Sequence, residues 1–219
     1  MQNIPRIYID DNITTGQSVL VNKDVVHYLR RVMRRNDCLV FNGGFEYAAV
    51  LSEDDRHLIV KEKTEHVDPS NNLTLCFAPI KRIDDLLNMA TQMGVAVLQP
   101  VITERTVANH VNWSRMQKII IEAAEQSNRN SVPQLLKPVK FADLDLNNLI
   151  VADERFAHDC KAVPLAIRFD RVLVGPEGGF SPKEFEKLDA ANVDRISLGK
   201  TVLRAEVAAV VAISKVLDK

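Results

Sequence analysis

The sequence predicts an α/β protein of two domains, a small β-barrel followed by a parallel sheet that helices cover. Two observations support this prediction. Up to about residue 67, short β-rich segments follow one another with turn residues between them. Beyond residue 72, apolar runs of strand length alternate with amphipathic helical stretches, which is typical of βα units. Residues 68–72 are polar and turn-forming, so the expected domains are residues 1–69 and 70–219.

Composition narrows the class of protein. The chain has 219 residues, and its 28 Lys and Arg residues nearly balance 29 Asp and Glu residues, giving a formal net charge of -1. This excludes a histone-like polycation but leaves a nucleic-acid enzyme open, because local basic patches matter more than the sum. No apolar run approaches the ~20 residues that span a bilayer, and no secretory signal is expected at the N-terminus.

The cysteines and histidines show neither a disulfide pattern nor a metal-site pattern. Cys38, Cys76 and Cys160 are far apart in sequence, and no Cys-x-x-Cys pair occurs. The five histidines have no His-x-x-x-His spacing. We therefore expect no bound metal and no membrane partner, and reduced thiols favour a cytoplasmic protein.

The first part of the chain contains five predicted strands and one helix. The strands are expected at residues 6–9, 18–21, 38–41, 46–51 and 57–61. This spacing indicates a small barrel. The helix is expected at residues 24–35, where five apolar side chains share one face. Asn42-Gly43-Gly44, between two predicted strands, is a strong signal of a β-hairpin.

The second part alternates five predicted strands with four helices. The strands are expected at residues 73–77, 96–101, 149–152, 171–174 and 195–198, and the helices at residues 83–93, 113–127, 182–191 and 204–217. Ser181-Pro-Lys-Glu184 has the pattern of a capping box with proline at the first helical position. Residues 175–180 must then form the loop between a strand and a helix N-terminus, which is where ligands bind in open α/β sheets.

Two glycine-containing strand-to-helix junctions are candidate ligand sites. In residues 175–180, glycines allow the backbone to approach a ligand closely, and the alternative is a plain tight turn. Residues 197–204 lead into the apolar C-terminal helix. A dinucleotide fingerprint is absent, which disfavours nicotinamide and flavin, and Asp194 stands where a P-loop needs glycine, which excludes an NTPase. The two loops are expected to enclose a small molecule together.

Two groups of polar residues are candidates for contact with RNA. Glu122, Gln126 and Arg129 share one helical face, which is either a substrate-facing edge or an ordinary solvated face. Four arginines lie within six residues at the end of the first helix, more than helix capping requires. With two later cations, they are predicted to bind RNA phosphates. These six residues are Arg30, Arg31, Arg34, Arg35, Lys81 and Arg105.

Four motifs, in the same order and spacing, resemble the bacterial RsmE family of 16S ribosomal RNA uridine-N3 methyltransferases, in the SPOUT superfamily. They are Asn42-Gly-Gly44, Glu122-Ala-Ala-Glu-Gln-Ser-Asn-Arg129, Gly175-Pro-Glu-Gly-Gly-Phe180 and Leu198-Gly-Lys-Thr-Val-Leu-Arg-Ala-Glu206. The resemblance implies an RNA-binding PUA-like β-barrel in residues 1–69 and a SPOUT methyltransferase domain with a trefoil knot in residues 70–219. It also implies S-adenosyl-L-methionine (SAM) as cofactor, 16S ribosomal RNA of the small subunit as partner, and a homodimer formed through the knotted domains.

The resemblance and the chemistry of the reaction assign the site residues. By motif, the cofactor is expected to lie against Leu173, Gly175, Pro176, Glu177, Gly178, Ile196, Leu198, Gly199 and Leu203. Uracil N3 carries a proton, so the site must remove it or stabilise the uracil anion in line with the sulfonium methyl. Arg129 and Arg204 are the candidate cations. Glu122 or Glu206 is the candidate base, and Gln126 joins the RNA-binding residues.

The last predicted helix carries an apolar stripe that is expected to face a second copy of the chain. Its members are Val207, Val210, Val211, Ser214 and Leu217. Val207 stands where the family commonly has threonine, so a hydroxyl is missing there. Two other functions stay open. One is a SPOUT enzyme that methylates a ribose 2′-hydroxyl, and the other is a non-catalytic RNA-binding factor that keeps the fold.

Overall fold

The computed structural model describes residues 4–107, 112–156 and 169–217. The chain divides into two compact units, Met1–Ser70 with Ile121–Val132, and Asn71–Ile120 with Pro133–Lys219. The first division lies next to the boundary predicted at residue 69. The prediction of residues 70–219 as one continuous domain does not account for residues 121–132, which cluster with the first unit. Cys160 lies outside the described residues.

The first unit contains a five-stranded sheet built around an apolar core. Its strands are β1 (Arg6–Tyr8), β2 (Ser18–Leu20), β3 (Asp37–Asn42), β4 (Phe45–Leu51) and β5 (His57–Val67). They lie in the order β1-β3-β4-β5-β2, with β1 parallel to β3 and the other pairs antiparallel. β5 continues past its predicted end at residue 61. Residues 62–66 are polar, so no apolar pattern marks them as strand, but this part of β5 pairs with β4 through Lys63 and Val67.

The hairpin predicted at Asn42-Gly43-Gly44 is confirmed. Asn42 of β3 pairs with Phe45 of β4 across the turn. Gly43 and Gly44 have φ angles of +59° and +85°. A type I′ turn requires positive φ at both central residues, which is why two glycines suit it. The Gly44 N–H also donates to the carbonyl of Asn130 at 2.9 Å, which ties the hairpin to the second segment of this unit.

The helix predicted at residues 24–35 has two parts. It begins as α1 (Lys23–His27) and continues as a π-helical segment, Tyr28–Met33. The wider turns of a π-helix change which side chains face inward. Leu29 is fully buried, whereas Val32 is 59% exposed instead of lying on the predicted apolar face. The apolar spacing indicates a helix but does not distinguish its two forms.

The remaining strands form a parallel sheet in the second unit. They are β6 (Thr74–Phe77), β7 (Val97–Ile102), β8 (Gln134–Leu135), β9 (Val139–Lys140), β10 (Leu149–Ala152), β11 (Arg171–Val174) and β12 (Asp194–Ile196). The order is β12-β10-β11-β6-β7-β8, β9 also pairs with β7, and every pair is parallel. The remaining α-helices are α2 (Ile83–Gln92), α3 (Trp113–Gln126), α4 (Pro182–Ala190) and α5 (Ala205–Leu217). The parallel sheet with alternating helices is thus as predicted. The strands β8 and β9 are not predicted, because two residues are too few to show a strand pattern in the sequence.

The strand order brings three strand ends together. β10 lies between β12 and β11, so the carboxyl ends of three neighbouring strands share one edge of the sheet. The predicted capping box of α4 is confirmed. Ser181 Oγ accepts from the Glu184 N–H at 3.3 Å, and Glu184 Oε2 accepts from the Ser181 N–H at 2.8 Å. Residues 175–180 therefore connect β11 to α4 at this edge, and residues 197–204 connect β12 to α5.

Candidate functional site

The segments that follow β10, β11 and β12 line one cavity of about 470 Å³ in the second unit. Sites for small molecules typically have volumes of roughly 300–1,000 Å³, and in open α/β sheets they lie outside the carboxyl ends of strands. Both conditions are met here. The cavity contains the two loops that the sequence analysis singled out.

The loop after β11, residues 175–180, is held by neighbouring segments of the second unit. Arg105 Nη1 donates to the Gly178 carbonyl at 2.8 Å. The Lys81 N–H donates to Glu177 Oε1 at 3.2 Å. Within the loop, the Gly179 N–H donates to the Pro176 carbonyl at 2.9 Å. These three hydrogen bonds hold the loop in its observed shape.

The glycines of this loop have different physical roles. A Cβ on Gly175 would lie 3.1 Å from ring carbons of Phe180, which is 2% exposed, so Gly175 makes room for a buried ring. A Cβ on Gly178 would meet only Arg105 carbons at 3.6 Å, an ordinary contact. Gly178 lines the cavity, and its missing side chain leaves backbone open to a ligand.

The loop after β12, residues 197–204, forms the opposite wall. Gly199 N–H donates to Ser197 Oγ at 3.3 Å, and Lys215 Nζ donates to the Ser197 carbonyl at 3.0 Å. Gly199 has φ of +129° with open space where a Cβ would be. Val202 is 92% exposed. This wall offers backbone and apolar side chains, among them Leu198, Val202, Leu203, Ala205 and Ala208.

Two acidic residues at the end of β10 complete the cavity. Asp153 is 2% exposed and accepts hydrogen bonds from Arg155 at 2.8–3.2 Å, and it also pairs with Arg195. Burial alone would raise the pKa of Asp153, but bonds from Arg155 and the charges of Arg155 and Arg195 outweigh it and hold the pKa below its usual value. Burial raises the pKa of Glu154, Asp153 adds to the rise, and Arg155 and Arg105 oppose it.

Most of the residues predicted to contact the cofactor line this cavity. Those that line the cavity are Gly175, Pro176, Glu177, Gly178, Leu198, Gly199 and Leu203. Leu173 and Ile196 lie instead within β11 and β12, at 0% and 8% exposure, and lead into the two loops. Sequence reasoning missed Asp153 and Glu154. Their position directly after a predicted strand was the available signal, since strand ends carry sites in such sheets.

The four predicted catalytic residues lie in different units. Arg204 lines the cavity of the second unit and is exposed. Glu206, in the first turn of α5, is 6% exposed, and its Oε1 lies 4.0 Å from Arg82 Nε. Glu122 and Arg129 belong to the first unit, where Glu122 is exposed. The structure thus places Arg204 on the cavity wall. Glu206, two residues further along the chain, is buried.

Arg129 lies next to a tightly bonded turn of the first unit. Its side chain is 12% exposed, its Nε lies 3.8 Å from Asp68 Oδ2, and its Nη2 donates to Ser131 Oγ at 3.3 Å. Burial lowers the pKa of Arg129, and Asp68 opposes that shift. The neighbouring Asn130 is fully buried, and its side chain accepts from Arg6 Nη2 at 2.7 Å. These bonds explain why residues 121–132 cluster with the first unit.

The predicted arginine cluster divides into bonded and exposed members. Arg30 donates to Asp55 at 2.6 and 2.9 Å. Arg35 donates to both carboxylate oxygens of Asp37 at 2.5 and 3.0 Å. Arg31 and Arg34 are exposed. A cleft of about 690 Å³ in the same unit is lined by Leu20, Val21, Lys23, Val26, His27, Arg30, Arg31, Asp55 and Arg56.

The other predicted RNA-binding residues have separate positions. Gln126 is exposed at the end of α3. The side chain of Lys81 is exposed, while its backbone supports the loop after β11. Arg105 is exposed as well, but one arm of its guanidinium is bonded to Gly178. Arg105 therefore supports the loop after β11, which lines the cavity, without lining the cavity itself.

Two further results concern the described part of the chain. Within residues 4–107, 112–156 and 169–217, no group of three His, Cys, Asp or Glu side chains is placed to hold a metal ion. Over the same ranges, no helix combines the length and apolar content needed to cross a membrane.

Comparison with known proteins identifies the family. Residues 67–217 match the family described as RNA methyltransferase domain, and the chain belongs to that family. It is similar to "Ribosomal RNA small subunit methyltransferase E" of Rickettsia conorii, at 34% identity over 96% of this chain and 94% of the relative. The protein of that name from Aquifex aeolicus is 28% identical over 91% and 93% of the two chains.

A solved structure agrees with these sequence relatives. It is the crystal structure of a Ribosomal RNA small subunit methyltransferase E from Neisseria gonorrhoeae bound to S-adenosyl methionine. This chain is 27% identical to it, with a TM-score of 0.85 over 97% of this chain and 96% of the other. The family resemblance and the predicted fold class, a SPOUT-type α/β domain with a PUA-like barrel, are confirmed.

Proposed function

We propose that this chain transfers a methyl group from SAM to N3 of a uridine in 16S ribosomal RNA of the small ribosomal subunit. The observation that carries the proposal is the cavity formed by residues 175–180 and 197–204 at the carboxyl edge of the sheet. The relatives named Ribosomal RNA small subunit methyltransferase E, and the SAM bound to the Neisseria gonorrhoeae protein, support methyl transfer from SAM to ribosomal RNA of the small subunit.

The residues of the cavity fit SAM. Open backbone at Gly178 and Gly199 allows close approach, and the wall after β12 supplies apolar surface for an adenine ring. Polar side chains on the wall are few, which is typical of sites where a small number of groups fix orientation. When bound, SAM supplies an electrophilic sulfonium methyl group. The chain's part is to hold the two loops so that a nucleophile can approach that methyl in line.

Charge stabilisation at the uracil is the second task of the site. The proton on N3 must leave during methylation, so negative charge develops on the ring and its carbonyl oxygens. Arg204 lines the cavity and is exposed, which makes it the best-supported cation for this charge. Glu206 follows it by two residues and is the candidate base from the same unit. Arg129 and Glu122 are the corresponding candidates from the first unit.

RNA binding is proposed for the basic surface of the first unit. Arg31 and Arg34 are exposed, and Arg31 shares its cleft with Lys23, His27 and Arg56. Such a set suits phosphate contacts, which position RNA without reading its sequence. N3 lies on the Watson–Crick edge of uracil, so the target nucleotide must be unpaired or drawn out of its stack.

A homodimer is part of the proposal, and α5 supports it. One face of α5 is buried against α2, β6 and β11 within the chain. The other face consists of the predicted stripe and is less buried. Val207 is 41% exposed, and Val210, Val211, Ser214 and Leu217 are half-buried. An apolar face of this kind suits a second copy related by two-fold symmetry.

A cytoplasmic location is proposed from the thiols. Cys38 and Cys76 are free and buried. Burial raises the pKa of Cys38 to about 12 and that of Cys76 to about 11, so both thiols stay protonated at neutral pH. Unreactive, unpaired thiols are typical of proteins in reducing compartments.

Nucleoside mass spectrometry of 16S ribosomal RNA tests the proposed function. Small subunits from a strain that lacks this protein are incubated with the purified chain and SAM. We expect 3-methyluridine to be absent beforehand and to form at one uridine afterwards. Formation of a 2′-O-methylated nucleotide instead would show the ribose-modifying alternative. No methylation, with RNA binding intact, would show the non-catalytic alternative.

A further inference from the structure

The end of β10 contributes a part of the cavity that no family motif marked. β10 lies between β11 and β12, so Asp153 and Glu154 project from the strand between the two glycine loops. Both are carboxylates on the cavity wall, but their surroundings differ. Asp153 is bonded to Arg155 and Arg195, and its side chain is 0% exposed. Its oxygens are occupied by the protein.

Glu154 is the more accessible of the two carboxylates. It is exposed, and its carboxylate lies over the backbone of the loop after β11. A Cβ on Gly179 would overlap Glu154 Oε1, and Gly179 also has φ of +67°. The loop therefore has a glycine where the carboxylate approaches. The charges of Arg105 and Arg155 also act on Glu154.

Two other side chains of the wall, those of Glu177 and Thr201, can also accept hydrogen bonds from a ligand, so they are the alternatives to Glu154. Glu177 Oε1 already accepts from the Lys81 N–H. Arg204 can only donate. SAM brings donors that need acceptors when it is buried, namely two ribose hydroxyls, the adenine amino group and the α-ammonium group. In other sheets, an acidic residue near a glycine loop commonly binds ribose hydroxyls.

We propose that Glu154 is a cofactor-contacting residue whose carboxylate accepts hydrogen bonds from the donor groups of bound SAM. This inference rests on the proposed function, because it requires SAM in the cavity. The donor lies either on the nucleoside part of SAM or at its ammonium group, and the choice of ligand in the experiment separates these two.

The test is calorimetric titration of the wild type and Glu154→Gln with three ligands. SAM carries the nucleoside donors, the ammonium group and the sulfonium. S-adenosylhomocysteine lacks the sulfonium, and 5′-methylthioadenosine lacks both the sulfonium and the ammonium group. Glutamine has the same size but lacks the charge and one acceptor. We expect the affinity for SAM to fall about tenfold. An equal loss for all three ligands assigns the nucleoside donors, which are the ribose diol and the adenine amino group, and a loss that spares 5′-methylthioadenosine assigns the ammonium group.

Glu186→Gln is the matched control, since Glu186 is exposed on α4 and does not line the cavity. It removes the same charge and should leave all three affinities unchanged. Thermal unfolding without ligand checks the fold of each variant. Glu154→Asp is a second variant at the same position, which keeps the negative charge but moves the carboxylate back from the cavity by one methylene.

Three results overturn the inference. Unchanged affinities in a folded Glu154→Gln variant remove the contact while leaving the proposed function intact. A loss for SAM alone shows attraction to the sulfonium and no hydrogen bond. A wild type that binds none of the three ligands overturns the proposed function itself, and the inference with it.

Discussion

The two walls of the cavity are built on different principles. The loop after β11, residues 175–180, is fixed by Arg105, by the backbone of Lys81 and by the capping box at Ser181. The loop after β12, residues 197–204, projects outward, with Lys200, Thr201 and Val202 exposed. We therefore expect the wall formed by residues 175–180 to have its shape before the ligand binds. The other is expected to take its final shape around the ligand.

The largest effect is expected at Gly178. Gly178→Val should weaken SAM binding by about 100-fold, equivalent to roughly 3 kcal/mol of overpacking, because the side chain would occupy ligand space. The protein should stay folded, since a Cβ here meets only Arg105 at 3.6 Å. Calorimetry and thermal unfolding measure the two properties, and Gly178→Ala should give a smaller loss. Unchanged affinity in folded Gly178→Val would remove this loop from the site.

Gly175 should behave differently, although it lies in the same loop. Its Cβ would lie 3.1 Å from the buried Phe180 ring, so Gly175→Ala should lower the free energy of unfolding by about 1–3 kcal/mol. Urea denaturation without ligand measures this loss. If stability were unchanged, the wall after β11 would be less tightly packed than the structure shows.

Gly199 tests the opposite wall. Gly199→Ala places a side chain at φ of +129°, a strain on the order of 1–3 kcal/mol, and should weaken SAM binding by deforming the loop. Gly16→Ala is the matched control, with φ of +85°, open space around the Cβ and a position in the first unit. The control should lose stability but keep its affinity. Equal affinity losses in both would mean that strain alone is being measured.

Arg105 tests whether the first wall is preformed. Arg105→Ala removes the hydrogen bond to the Gly178 carbonyl and should weaken SAM binding about fivefold in the absence of RNA. Lys183→Ala removes the same charge from an exposed position on α4 and should have no effect. If Arg105 serves RNA alone, calorimetry without RNA will show wild-type affinity.

The smallest effect is expected for the arginines of the first unit. Here too, residues that are bonded within the protein are compared with residues that are exposed. Changing Arg31 and Arg34 to Ala should reduce the slope of log affinity for RNA against log salt by about 0.7–0.9 for each lost phosphate contact. Changing Arg30 and Arg35, which are bonded to Asp55 and Asp37, should reduce it less. SAM affinity should stay constant in both double variants. Identical slopes for both pairs would contradict the distinction.

Local patterns predicted much of this molecule. The capping box at Ser181 located the loop before it, and two adjacent glycines located the hairpin turn, because both signals depend on neighbouring residues. Strands at residues 149–152 and 171–174 were predicted with their observed bounds, since buried parallel strands are continuous apolar runs.

Long-range contacts could not be predicted in this way. Residues 121–132 join the first unit through bonds such as Arg6 to Asn130, 124 positions apart. The pairing of Arg30 with Asp55 is equally invisible to spacing, so the whole cluster was assigned to RNA. Glu154 was missed because a single acidic residue after a strand has no distinctive pattern until its neighbour strands are known.

Hydrogen–deuterium exchange with and without SAM tests the central claim most directly, because it reports on both walls of the cavity at once. We predict that SAM strongly slows exchange of the amides in residues 197–205 and slows those in residues 175–180 much less, since contacts from Arg105 and Lys81 already hold the latter loop in place. The rest of the chain should change little. Protection confined to residues outside the cavity, or none at saturating SAM, would contradict the assignment of this cavity as the cofactor site.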